Sequence, residues 1–179
     1  TFGKEVEFIV EAFGESNDQE TASLRVKRNF SQYDSTHYDI HRTGDMQRYY
    51  RISKELDMKN ALLAELFASS LAVIDGPSKI NTSLYLMRQV NIDGSSCIRE
   101  FKKYGDYLDH MFLESWSMEF SKFSNVLAEN LAKKDGISVS EALILIKDEF
   151  RKFLAPYIFN ILAPEDRSLL SKVRKVIHN

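Results

Sequence analysis

The sequence predicts an α+β fold: an N-terminal antiparallel β-meander followed by a mainly α-helical bundle of about five helices. Two observations carry that expectation. Hydrophobic residues alternate with period two up to about residue 53 and follow helical spacing after Asp57. Charge is also partitioned, since residues 1–20 carry Lys4 against six acids, whereas residues 21–54 carry seven bases against Asp34, Asp39 and Asp45. The expected division is a meander at 1–56 and a bundle at 57–179, packed as one unit. With 179 residues, 44% of them hydrophobic, the chain is long enough for a real core. Its 7 Gly and 3 Pro favour long regular elements.

In "EVEFIVEAF" (5–13), Val6, Phe8, Val10 and Ala12 fall on one side and Glu5, Glu7 and Glu11 on the other. This reads as a half-buried strand, with a short helix as the alternative. "SLRVKRNF" (23–30) places Leu24, Val26 and Phe30 opposite Arg25 and Lys27 and reads as its hairpin partner across the polar loop "GESNDQET". Opposite charges facing across the pair would add about 0.2–1 kcal/mol each. "THYDIHR" (36–42) and "QRYYRIS" (47–53), joined by the turn "TGDM", complete the meander.

"MKNALLAELFASSLAVI" (58–74) is apolar nearly all round, so it predicts a central buried helix with Asp57 as N-cap. "DGPS" (75–78) ends it, and a second helix carries Ile80, Leu84, Met87 and Val90. Residues 96–134 would run about 57 Å as one helix at ~1.5 Å per residue. Gly105, or the serines at 115, 117, 121 and 124, are the places where it would split. Gly136 suits a helix C-terminus, and Ser138 with Glu141 forms a capping box. The following helix aligns Val139, Leu143, Ile146, Phe150, Phe153, Tyr157 and Ile161, with Pro156 as a kink. A last helix begins at Pro164, acidic early and basic late, as the helix dipole prefers.

A net charge of −2 gives no generic electrostatic case for nucleic acid or acidic membranes. One cysteine, Cys97, cannot form an internal disulfide and favours the cytoplasm or another reducing intracellular compartment. No apolar run approaches the ~18 residues of a membrane span, and no membrane partner is expected. The start has acids where a signal peptide has bases, although a chain beginning without Met can have lost a targeting segment.

The stretch most suggestive of chemistry is "YDSTHYDIHRTGD" (33–45), with two of the four histidines. On a strand, His37 and His41 share a face but lie about 13 Å apart at ~3.3 Å per residue. That is too far for one tetrahedral zinc with ~2.1 Å bonds, so no metal site is assigned. The strand offers a surface instead. Tyr38, Ile40, Leu24, Val26, Tyr50 and Ile52 would face inward. Arg25, Lys27, His37, Asp39, His41, Tyr49 and Arg51 would face outward. Of these, Arg25, Lys27, His37, His41, Tyr49 and Arg51 are the candidate nucleic-acid-binding residues, using phosphate contacts and base stacking. A solvated sheet face is the simpler reading, and Asp39 and the acidic first strand weaken an anion site.

Other patterns are weaker. Asp106, His110 and Glu114 are spaced i, i+4, i+8, but with Leu108 at the centre of the apolar face Asp106 and His110 would lie in solvent. Cys97 near Arg99, Lys102 and Lys103 could be an activated thiol, or a small buried hydrophobe. Residues 127–143 loosely resemble a helix-turn-helix, but Asp135 stands where an apolar residue is expected. No phosphate-loop, dinucleotide, zinc-protease, nucleophile-elbow or paired CxxC motif is present. No catalytic residue and no cofactor are assigned. The expected function is a non-enzymatic binding or regulatory module acting through protein–protein interaction. The alternative is a nucleic-acid binder using the sheet face, and the third reading a metal- or thiol-dependent enzyme. The abundance of large apolar residues after 138 predicts a homodimer or a stable protein partner, with helices from 138 to 177 in the contact.

Overall fold

A computed structural model describes residues 15–33, 36, 39–80, 99, 102–103, 105 and 107–158. Among them are six helices and no strand: α1 (Ala22–Ser31), α2 (Thr43–Glu55), α3 (Ala61–Asp75), α4 (Tyr107–Met111), α5 (Glu114–Asp135) and α6 (Val139–Ile158). The only β feature there is a single antiparallel bridge, Asn17 to Ser78. The expected meander is therefore corrected. "SLRVKRNF" lies within α1, "QRYYRIS" within α2, and "TGDM" is the first turn of α2. The proposed first strand, 5–13, lies outside the described residues.

The physical reason is visible in the residues. A strand over 23–30 needs an apolar side chain at 28, where Arg28 stands. Ala22, Val26 and Phe30 recur every fourth residue instead, and all three are buried while Leu24 is exposed. In α2 the inward set is Met46, Tyr49 and Ile52, again at helical spacing. Both helices deliver these residues to the same core as the later elements, and the described residues between 15 and 56 contain no strand.

The core is centred on α3, as expected. Leu63, Phe67 and Leu71 are inaccessible, as are Phe123, Leu127 and Leu131 from α5. An aromatic cluster seals the contact with α6. Phe150 lies 4.5 Å from Phe120, 5.6 Å from Phe123 and 6.1 Å from Phe30 between ring centroids. Of the stripe expected on α6, Ile146, Phe150 and Phe153 are buried, joined by Ala142 and Leu154, whereas Val139 is exposed.

The ends of α3 are finished by other elements. Its N-cap is Asn60, whose side-chain oxygen accepts from the N–H groups of Leu62 (3.0 Å) and Leu63 (3.1 Å). Asp57, the expected cap, instead holds a left-handed backbone (φ 52°) before the helix. Buried Glu119 of α5 accepts from the N–H groups of Lys59 (3.1 Å) and Asn60 (2.9 Å). At the other end Arg25 donates to the carbonyls of Val73 (2.7 Å) and Ile74 (3.0 Å). A carboxylate at the N-terminus and a guanidinium at the C-terminus both suit the helix dipole.

The expected 96–134 helix is divided at 112–113, ahead of the serines. Gly105 takes a positive φ of 88°, and α5 then runs unbroken for 22 residues. Gly136 is left-handed (φ 69°), as the sequence indicates, and the Ser138–Glu141 capping box forms. The helix expected from Ile80 to Val90 and the last helix lie outside the described residues, apart from Ile80 itself, which is in no helix.

Candidate functional site

The surface that draws most attention begins in the stretch singled out from the sequence. Residues 39–42 are irregular backbone leading into α2. They are fastened to α3 through its few polar side chains. Ser69, wholly buried, is bonded by the Thr36 hydroxyl (3.2 Å) and reached by its backbone N–H (3.4 Å). The Tyr33 hydroxyl donates to Glu65 (3.3 Å). His41 Nε2 meets the Thr36 carbonyl at 2.6 Å, so this ring nitrogen carries the hydrogen and donates it.

The inner face of α2 is fixed equally firmly. The Tyr49 hydroxyl donates to Asp75 at the end of α3 (2.7 Å), and Arg48 pairs with the same carboxylate. The Arg48 guanidinium also lies over the Tyr49 ring, 5.0 Å from its centroid. Burial raises the Tyr49 phenol above its ordinary range and the Asp45 charge adds to this, while Arg48 opposes it.

On the outer side is a shallow, wide-open cleft lined by Asp39, His41, Thr43, Met46, Gln47 and Tyr50. Tyr50 is 51% exposed and neighbouring Ile40 is 71% exposed. Arg42, Arg51 and Lys54 of this segment are exposed, and neither they nor the acids Asp45 and Glu55 make an ion pair among the described residues. A second cleft of about 410 Å³ lies between the end of α1 and α6, lined by residues including Phe30, Tyr33, Glu149 and Phe153. There Glu149 is bound by Lys152 (2.7 Å).

The five described residues of the six expected to form a nucleic-acid face are not brought together. No sheet supports them. Arg25 is buried and donates to four carbonyls, those of Gln19, Glu20, Val73 and Ile74. Burial lowers its pKa, which the Asp135 charge opposes. Tyr49 is buried against Asp75. Lys27 is exposed on α1, which does not touch α2. Only His41 and Arg51 share the α2 surface, and His37 lies outside the described residues. The strand spacing used to separate His37 from His41 does not apply, because 39–42 is not a strand. Among the described residues no three His, Cys, Asp or Glu side chains gather as a metal site. Cys97 lies outside them.

Two further expectations are corrected. His110 is fully buried, not solvated: it packs against Trp116 (6.0 Å) and its Nδ1 meets the Asn60 amide nitrogen at 2.9 Å. Glu114 is exposed and Asp106 lies outside the described residues. Asp135, odd in a helix-turn-helix, caps α1, accepting from Ala22 N–H (2.9 Å), Ser23 N–H (2.7 Å) and the Ser23 hydroxyl (2.6 Å). Burial works against its charge, but these hydrogen bonds and Arg25 hold the carboxyl below its usual range.

What the sequence reading missed is the outer stripe of α2. Thr43, Gln47, Tyr50 and Lys54 recur at helical spacing, a signal hidden by the period-two assignment. No helix among the described residues is long and apolar enough to cross a membrane. The chain matches no known protein family, no curated protein and no solved structure.

Proposed function

We propose that this protein is a non-catalytic binding module that acts through protein–protein contact, with the outer surface of α2 as the contact. The observation that carries this reading is the pairing of exposed Ile40 and Tyr50 with a cleft on a helix whose inner face is anchored through Tyr49 and Arg48 to Asp75. Aromatic side chains on a rigid helix are effective anchors for a partner, because little conformational freedom is lost on binding. Buried Arg25 and Glu119 finish the two ends of α3, and buried Glu149 is bound by Lys152, which supports an architectural use of these charges. The partner is another protein or a second copy of this chain. The single cysteine supports a reducing intracellular compartment.

Photo-crosslinking tests the reading. Benzoylphenylalanine replaces Tyr50 in one full-length variant and Lys27, on α1, in another. A defined adduct formed at position 50 and not at 27 supports it; equal labelling, or none, overturns it.

A second reading places single-stranded nucleic acid on the same surface. It is favoured by Tyr50 standing exposed among Arg42, Arg51, Lys54 and His41, where stacking and phosphate contacts could combine. Binding of oligo-dT or oligo-rU that weakens steeply with salt is its signature.

A further inference from the structure

α2 is held to the fold differently from the other long helices. Tyr49 is its one fully buried side chain, whereas α1, with 10 residues, buries Ala22, Arg25, Val26, Asn29 and Phe30. Met46 and Ile52 reach the core only in part. Among the described helices α2 touches α3 alone, while α1, α5 and α6 each pack on several others. An element with few buried contacts opens at lower free energy than the rest of its protein.

The polar fastening of α2 to α3 gathers at one group. The Tyr49 hydroxyl donates to Asp75 (2.7 Å), and Arg48 pairs with the same carboxylate. Asp75 is the last residue of α3, where the helix dipole disfavours a negative charge. Its carboxylate therefore does not serve α3 itself; what it serves is the docking of α2.

The ends of α2 are built to give way. Irregular residues 39–42 lead into it, and no side chain caps its N-terminus, whereas Thr21 caps α1 and Asn60 caps α3. Beyond Leu56, Asp57 is the one described residue other than glycine with a left-handed backbone. The helix has 13 residues, with Gly44 in its first turn and β-branched or aromatic side chains at Thr43, Tyr49, Tyr50 and Ile52. Such a segment does not persist as a helix alone in water, so away from α3 it unwinds.

From these observations we infer that α2 is a latched element. It undocks from α3 and unwinds as a unit while α1, α3, α5 and α6 stay closed, and Asp75 is the latch. The outer stripe of Thr43, Gln47, Tyr50 and Lys54 is a stripe only on the shut helix, so the latch governs whether the proposed contact surface is presented. That consequence alone rests on the proposed binding function; the latch itself does not.

Hydrogen exchange of the full chain at neutral pH, read by mass spectrometry, tests the latch. Backbone amides over 47–55 should exchange at least about tenfold faster, relative to their unstructured rates, than those over 63–74 of α3 and 118–131 of α5. Asp75→Ala should speed the α2 amides about a further tenfold and leave those of α5 and α6 unchanged. Asp75→Asn, which keeps an acceptor for the Tyr49 hydroxyl, should fall between the two. If Asp75→Ala does not fold, Tyr49→Phe, which removes only the hydroxyl, is read in its place.

Protection of α2 equal to that of α5 in the unaltered protein overturns the latched element. Faster exchange of all helices alike in the Asp75 variants, or none in α2, overturns it too. The crosslink at position 50 separately decides the binding function. An adduct without faster exchange in α2 leaves that function standing and removes the latch, and faster exchange without an adduct does the reverse.

Discussion

The amide of Asn60 is oriented by what surrounds it. Its oxygen faces two helical N–H groups, so its nitrogen must face His110 Nδ1. The amide nitrogen donates, His110 Nδ1 accepts, and His110 carries its ring hydrogen on Nε2. A two-bond nitrogen–proton correlation spectrum at neutral pH should show this tautomer, and an Nδ1–H pattern would contradict the Asn60 cap. The neighbouring serines of α3 make a second contrast. Ser69 Oγ serves Thr36 and Tyr33, whereas buried Ser70 Oγ has no hydrogen-bond partner among the described residues. Ser69→Ala should lower stability by about 1 kcal/mol, because it leaves partly buried groups unsatisfied. Ser70→Ala should be neutral or stabilising by up to about 1 kcal/mol, since it removes a hydroxyl that folding desolvates without return. Urea midpoints of the two variants report the opposite signs.

Helix termini set the behaviour of the elements. Asp135 ties the end of α5 to the start of α1, and its carboxyl is held below the ordinary range in the folded state. A depressed carboxylate stabilises above the unfolded value of about 3.9. That contribution disappears as pH falls through the lower folded value. Asp135→Asn should lose about 1 kcal/mol at neutral pH. Its urea midpoint should also fall less than the wild type's on acidification to about pH 3, a region below the unfolded carboxyl range. An unchanged acid response would show that Asp135 contributes nothing to it. Caps also explain what could be read in advance. Gly136 and the Ser138–Glu141 box are local signals, complete within four residues, and they predicted the α5–α6 turn. The caps Asp135 and Glu119 act across 113 and 59 residues, and no local pattern announces them. Over 23–30 and 47–53 the alternation was accidental. Arg25 and Asn29 are polar but face inward, which disguises the four-residue period of Ala22, Val26 and Phe30. The α2 cleft was half legible: Asp39 and His41 drew notice, but the strand assignment turned Tyr50 inward and Tyr49 outward, the reverse of what the helix does.

Across the molecule, α3 is the axis on which α1, α2 and α5 all pack, and α6 closes the far side against α1 and α5. Phe150 is where these layers meet, in contact with rings from α1 and α5. Phe150→Ala should cost about 3–5 kcal/mol by cavity formation, read as a lower midpoint in a single cooperative urea transition. A loss confined to α6 in hydrogen exchange, with the rest unchanged, would show that the helices do not unfold together.

The double-ended finishing of α3 also has a consequence during synthesis. The most apolar segment of the chain leaves the ribosome with Arg25 already made, so its C-terminal carbonyls can be bound at once. Glu119 lies 59 residues beyond Asn60. Until it is translated, the N–H groups of Lys59 and Asn60 lack their carboxylate, and the faces of Phe67 and Leu71 lack α5. For that interval of translation the nascent chain presents a partly docked greasy rod. It is the kind of surface that holdase chaperones engage, and it is withdrawn when α5 arrives.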